Sequence, residues 1–277
     1  MPSLISSFKS DFHERAISQL NKKMKITFLG TGASPGIPMI GCDCPVCTSD
    51  NSKNKRLRAS ILVQNNGHNY LVDTSSDLRQ QCLKSGVKNI DAIFFTHHHA
   101  DHILGLEELR AFYFFQKKAI PCYGNETTFD EIKKTFHYIF EPNPDYQGTV
   151  SQLDLLPVNG EPINFSELKV KPLEIDHGSL KIIGYKFNNA AYITDCNNIP
   201  KKTEPELKNL DLLILNALRY KPHPTHFNFE EAIKNVQRLK PKRVLFTHMN
   251  HDVDHETANN ELPCPIELAY DGMTVEI

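Results

Sequence analysis

Four imidazoles and a carboxylate fall within seven residues at Thr96-His97-His98-His99-Ala100-Asp101-His102. Neutral imidazole and carboxylate are ligands for zinc, iron or manganese. Residues 90–95 just before them form a short apolar run rich in Ile and Phe, which predicts a buried strand, so the histidines begin where that strand ends. At a strand-like period of two, His97 and His99 project to one side while Asp101 and His102 turn toward a second point nearby. Such an arrangement suits two adjacent ions, held on a loop that leaves a coordination position open for water. A solvated loop or an artificial His-rich tract explains poorly why an Asp sits among spaced histidines behind a buried strand.

A second group of ligand types stands at Gly41-Cys42-Asp43-Cys44-Pro45-Val46-Cys47. Thiols spaced C-x-C-x2-C can converge on one ion, but tetrahedral zinc needs a fourth donor from elsewhere, and His251 is the candidate. The chain has 7 cysteines, an odd number, three of them within this one stretch. That usage fits metal binding in a reducing compartment better than a disulfide framework. The scattered Cys82, Cys122, Cys196 and Cys264 read as small buried hydrophobes. Lys53, Lys55, Arg56 and Arg58 read as a solvated basic loop.

The elements that must position these residues alternate between strand and helix. Residues 24–29 alternate as a first strand and lead into a Gly/Pro-rich loop over 30–38, whose glycines permit close backbone approach. Residues 60–63 and 70–72 read as paired strands around Asn65-Asn66-Gly67, the second ending in Asp73. Helices are expected over 77–85, 104–115 and near 128–140, strands over 91–95 and 120–123, and core packing for the aromatic residues at 112–115. Residues 141–149, with two prolines and a glycine, read as a loop too short for an inserted module. Strands over 170–175, 191–194, 210–215 and 243–246 follow, ending near His177, Asp195, a loop over 220–226, and Thr247-His248-Met249-Asn250-His251. Asn228, with Glu231 three residues on, predicts a capped helix whose buried face carries Ala232, Ile233, Val236 and Leu239. No repeat or linker interrupts the pattern, so residues 24–277 are expected to form one α/β domain, with 1–23 an N-terminal extension.

Composition bounds the function. At 277 residues, 40% hydrophobic and 23% charged, with 16 Phe and no Trp, the chain has ample material for a core. A net charge of -2 and a pI near 6.7 offer no global attraction to nucleic acid or to an anionic membrane. No apolar run is long enough to span a bilayer, and the first ten residues lack a secretory core, so a cytoplasmic location is expected.

His97-x-His99-x-Asp101-His102 resembles the signature of the metallo-β-lactamase superfamily, which implies a four-layer αββα sandwich around a one- or two-metal site. On that resemblance His97, His99 and His177 would hold one divalent ion, Asp101, His102 and His248 the other, and Asp195 would bridge them. Asp73 would support the metal loop without being a ligand. The Gly30-Thr31-Gly32 opening is similar to that of the 3′-tRNA-processing endonucleases and of the phosphonate-pathway cyclic phosphodiesterases. The cysteine segment is similar to the latter, where a distant histidine completes a structural zinc site. His226 resembles the histidine that this branch places beside the metals for chemistry, so His226 and Asp101 are the catalytic candidates. The resemblance implies a phosphodiesterase acting on a small, cyclic phosphate ester with zinc or manganese, without the arm that grips tRNA; a homodimer is one option for its assembly. Acyl, lactone or thioester hydrolysis on the same fold, the fold's role in pyrroloquinoline quinone biosynthesis, and a metal-binding module without turnover are the alternatives.

Overall fold

Strands with two apolar faces must be covered on both sides, and here alternate side chains along each strand go to different layers. In the computed structural model, which describes residues 23–141 and 150–277, two sheets pack face to face. The expected 1–23 extension, apart from Lys23, and the 141–149 loop, apart from Glu141, lie outside the described residues.

The first sheet runs β14-β1-β2-β3-β4-β5-β6, with β1 Lys25–Gly30, β2 Ser60–Asn65, β3 His68–Val72, β4 Ala92–Phe94, β5 Ile120–Gly124, β6 Leu153–Pro157 and β14 Thr274–Glu276. The second runs β13-β12-β11-β10-β9-β8-β7, with β7 Ile163–Phe165, β8 Leu168–His177, β9 Leu180–Phe187, β10 Ala190–Ile193, β11 Leu212–Asn216, β12 Val244–Thr247 and β13 Ile266–Leu268. Between them lie Phe28, Ile61, Val63 and Phe94 from one sheet and Tyr185, Phe187, Tyr192 and Ile214 from the other. The intervening residues Leu62, Leu71 and Ile93 face outward onto the helices Leu78–Ser85, Leu109–Gln116 and Glu126–Thr135. Leu213, Leu215 and Phe246 face outward onto Phe229–Leu239 and His255–Glu261. The layers are therefore helix, sheet, sheet, helix, as the αββα expectation holds.

Local chemistry explains the joints. Asn66 and Gly67 both take positive φ, which closes the β2–β3 hairpin. The helix Phe229–Leu239 begins with the expected capping box of Asn228 and Glu231. β3 to β6 pair in parallel, as do β10 to β13. Their carboxyl ends, with that of β8, carry the polar residues, which is where open α/β sheets place their sites.

Several expectations change. β6, β7, β9, β13 and β14 carry no periodicity strong enough to be anticipated. The expected aromatic core at 112–115 holds only for Phe112, because Phe115 is 85% exposed. Cys82, Cys122 and Cys196 are buried but Cys264 is exposed. The helix near 128–140 breaks at Phe136 into Glu126–Thr135 and His137–Phe140. The single helix over 104–115 is likewise divided into Ala100–Ile103, the 3₁₀ turn Leu106–Glu108 and Leu109–Gln116. Gly105 causes that break. Its N–H donates to the Thr74 carbonyl at 2.9 Å, and a Cβ there would meet the Ser75 carbonyl oxygen at 1.9 Å and Leu78 Cβ at 2.8 Å.

Because both obstacles are held by packed structure, Gly105→Ala must displace the 100–106 turn from the end of β3. Overpacking of this kind costs about 1–3 kcal/mol. Thermal denaturation of the variant should show a melting temperature several degrees lower, and an unchanged melting temperature would mean the contact is looser than described.

Candidate metal centres

The turn after β4 and the ends of β3, β8, β10 and β12 bring the polar residues together. Asp73, at φ 62°, ends β3, and its carboxylate accepts from Thr96 N–H at 2.8 Å, Thr96 O–H at 2.8 Å and His102 Nδ1–H at 2.7 Å. Since a carboxylate only accepts here, a proton of His102 is fixed on Nδ1, and Nε2 is the atom left to face an ion. The same reasoning fixes two more rings. Thr96 Oγ1, having donated to Asp73, accepts from His97 Nδ1 at 3.0 Å, and the Thr225 carbonyl accepts from His177 Nδ1 at 2.9 Å. Each histidine therefore turns Nε2 inward as a donor to an ion.

The inward atoms converge. His99 Nδ1 lies 3.0 Å from His97 Nε2 and 3.3 Å from His177 Nε2. His102 Nε2 lies 3.3 Å from both Asp101 Oδ2 and Asp195 Oδ2, and His248 Nε2 lies 3.6 Å from Asp101 Oδ2 and 3.2 Å from Asp195 Oδ1. Two groups result, His97 with His99 and His177, and Asp101 with His102, Asp195 and His248, each with its donor atoms within 4.8 Å of one another. Asp195 is also within 4.8 Å of His177, so its carboxylate stands between the groups. His226 Nε2 lies 3.0 Å from Asp195 Oδ1 and its ring stacks on His248 at 5.0 Å. It could serve chemistry there or join His177 and Asp195 around an ion.

These residues fit divalent cations. Asp101 Oδ2, His102 Nε2 and His248 Nε2 are buried without a hydrogen-bond partner, which is costly unless a cation satisfies them. Burial holds His97, His99 and His177 below the ordinary imidazole value, favouring the neutral ligand form. Burial also pushes Asp101 and Asp195 up, yet His102 beside Asp101, and His248 and His102 beside Asp195, outweigh it and hold both carboxyls below the usual range. His102 is lowered by burial but drawn well above its ordinary value by Asp101, Asp195 and Asp73. The pocket thus calls for positive charge.

The cysteine cluster forms a separate centre. His251 Nδ1 lies 3.2 Å from Cys42 Sγ, 3.5 Å from Cys44 Sγ and 3.8 Å from Cys47 Sγ. Pro45 starts the short helix Pro45–Thr48, which turns Cys47 back so that its N–H donates to Cys44 Sγ at 3.4 Å. That donor lowers the Cys44 thiol to about 6, while burial raises Cys47 to about 11. Three sulfurs and one imidazole nitrogen are a donor set for tetrahedral zinc.

The basic loop is not solvated throughout, contrary to expectation. Arg56 is buried and donates to the carbonyls of Val253 at 2.8 Å and Asn250 at 3.3 Å, so it braces the turn that carries His251. Arg58 pairs with Asp77 at 3.0 Å. Thr96, Thr225 and Arg56 are the supporting residues that sequence reasoning missed, since one hydrogen bond to a carbonyl or a neighbouring ring leaves no spacing signal.

The fold and these centres define a metallo-β-lactamase-fold protein with candidate metal sites. A family model described as a beta-lactamase superfamily domain matches residues 68–249, and the chain belongs to the metallo-β-lactamase superfamily. A crystal structure titled a new diphosphatase from the PhnP family is similar at a TM-score of 0.86 and 42% identity, covering 92% of this chain and 97% of that one. Zn2+-bound PqqB from Methylobacterium extorquens shares the fold at a TM-score of 0.71 and 19% identity, covering 91% and 100%. An octanoyltransferase of Porphyromonas gingivalis is 37% identical over 254 residues, 90% of this chain, but this chain spans only about half, 51%, of that protein's length. Among the described residues no helix is long and apolar enough to cross a membrane.

Cys44→Ser replaces the thiol most readily ionised and should lower the zinc content of the purified protein by one equivalent, while leaving the residues around Asp195 in place. Metal analysis decides it: unchanged zinc would mean that the cysteine cluster holds no ion.

Proposed function

We propose that this protein is a metal-dependent phosphodiesterase whose substrate is a small, cyclic phosphate ester. The observation that carries the reading is the convergence of inward-facing nitrogens and carboxylates from both sheets onto two adjacent points, a donor arrangement suited to a two-ion site. In it His97, His99 and His177 would hold one ion and Asp101, His102 and His248 the other, with Asp195 within reach of both groups; zinc or manganese suits the set. Cys42, Cys44, Cys47 and His251 would hold a structural zinc. When bound, the active-site pair would acidify a water to supply the attacking hydroxide and offset phosphoryl charge.

The chain's own residues do the rest. Asp73 and the Thr225 carbonyl hold three imidazoles in the tautomer that presents a lone pair inward. Asp101, buried and ionised, helps orient the nucleophile. His226, beside Asp195 but outside the two sets, donates a proton from Nε2 to the departing oxygen. The whole chain carries a net charge of only -2, so recognition of an anionic substrate rests on residues local to this site.

The PhnP-family diphosphatase supports a second reading, hydrolysis of a phosphoanhydride, which needs the same nucleophile but a less basic leaving group. Acyl chemistry, the name given to the Porphyromonas gingivalis protein, remains the rival class; the cysteine cluster, the Gly30 loop and His226 favour phosphate esters over it.

Two substitutions separate these readings. Asp195→Ala should lose metal and turnover together, because one carboxylate serves both groups; normal metal content with near-normal turnover would place the site elsewhere. General acid catalysis is typically worth about 10²- to 10⁴-fold. His226→Ala should retain metal and lose a factor in that range on an alkyl or sugar cyclic phosphate but much less on bis(p-nitrophenyl) phosphate, whose leaving group departs without help. Assay of both substrates, with a diphosphate and an ester panel beside them, identifies the bond cleaved.

A further inference from the structure

The loop His223-Pro224-Thr225-His226 brings two imidazoles and a hydroxyl into hydrogen-bond range of one another. His223 Nδ1 lies 3.3 Å from Thr225 N, 3.3 Å from Thr225 Oγ1 and 3.1 Å from His226 Nδ1. A backbone N–H can only donate, so His223 Nδ1 is an acceptor and that ring carries its proton on Nε2. A hydrogen on the nitrogen that faces it, His226 Nδ1, completes a bond to that ring at 3.1 Å, and Thr225 Oγ1, 2.9 Å from His226 Nδ1, is a second acceptor for the same N–H. At the far edge of the His226 ring, Nε2 faces Asp195 Oδ1 at 3.0 Å, again an acceptor.

We infer that His223 is the positioning residue for His226: it accepts the Nδ1–H of His226, fixing the ring's orientation and leaving Nε2 as the nitrogen that hands a proton to the leaving group. The inference rests on the reading of His226 as proton donor. In the step, the phosphorus–oxygen bond breaks with its electron pair on the leaving oxygen, the Nε2–H bond breaks, and that proton joins the oxygen. His226 is left neutral with Nδ1–H still donated to His223, so no imidazolate forms. Without His223, the ring could turn or shift its remaining proton, and the reactive edge would lose its definition. His226 is buried at 8% exposure while His223 is only half-buried, so the acceptor reaches the inner ring from the solvent side.

The loop has anchors besides His223. Asn197 donates to the Pro224 carbonyl at 2.9 Å and accepts from Gly178 N–H at 2.8 Å, and Arg219 donates to the Pro222 carbonyl at 2.8 Å. A truncated His223 should therefore leave a folded, metal-loaded protein.

The test has two arms. In the zinc-loaded protein labelled with ¹⁵N-histidine, long-range ¹H–¹⁵N spectra should show His223 unprotonated at Nδ1 and His226 protonated there; a proton on His223 Nδ1 would overturn the inference. Kinetically, removing a residue that orients a catalytic ring costs about 10- to 100-fold. His223→Ala should keep its metal and KM, lose kcat in that range on an alkyl cyclic phosphate and far less on bis(p-nitrophenyl) phosphate, and His223→Asn, which restores an acceptor, should recover most of it. In a His226→Ala background His223→Ala should add no further loss. Equal losses on both leaving groups, or additive losses in the double variant, would reduce His223 to a structural residue. If the unaltered protein turns over no phosphate ester, the functional reading fails, and the nitrogen spectra still decide the hydrogen bond.

Discussion

A fully buried carboxylate must be saturated with donors, and the one at Asp73 organises the rest of the site. Burial pushes its carboxyl upward, and His102 and Thr96 oppose that rise. Three donors answer it: the backbone and hydroxyl of Thr96 and the Nδ1–H of His102. The first sets where the β4 strand ends and the turn begins. The second makes Thr96 Oγ1 an acceptor and so determines the His97 tautomer, and the third determines that of His102. One side chain thus decides the direction of two inward lone pairs and the path of the chain between them. Asp73, Asp195 and His248 all take the left-handed backbone region, unusual for residues with a Cβ, at strand ends that border this cluster. The strain lies where the side chains must be aimed inward, which is what a packed scaffold can hold in place.

Much of this was legible because ligands sit at the ends of apolar strands, and strands of that kind announce themselves. The runs before His97, Asp195 and His248 each end within a residue or two of the expected place, and His177 closes β8 itself. The Cys42 segment was legible from spacing, and its distant partner His251 from being the ligand type left over after the last strand. What escaped was of two kinds. Edge and hairpin strands such as β6 and β7 are short and partly exposed, so their order comes from neighbours across the sheet and not from their own pattern. Supporting contacts escaped for another reason: Arg56 looks like any basic residue in a loop, and only the carbonyls of the 250–253 turn make it a buried brace. Gly105 shows the same limit, since apolar spacing continues through it while the close backbone of residues 74 and 75 forbids the helix to do so.

The two centres share an architecture that bears on stability as well as chemistry. Asp73 and residues 97–102 come from the first sheet, whereas His177, Asp195 and His248 come from the second, and His99 Nδ1 of the first faces His177 Nε2 of the second at 3.3 Å. The cysteine centre repeats the pattern, with thiols from residues 42–47 after β1 of the first sheet and an imidazole from residue 251 after β12 of the second. A cation bound at either cluster would add its binding free energy to folding, because the unfolded chain offers no assembled donor set, and would tie the two sheets together along this seam. Arg56 and Asp73 brace either side of it with hydrogen bonds that do not involve the ligand atoms, which keeps the donors aimed while the inner faces Phe94, Tyr185 and Phe187 supply the cohesion. Hydrophobic burial brings the sheets together, and the polar seam occupies the edge where the strand ends of both sheets meet.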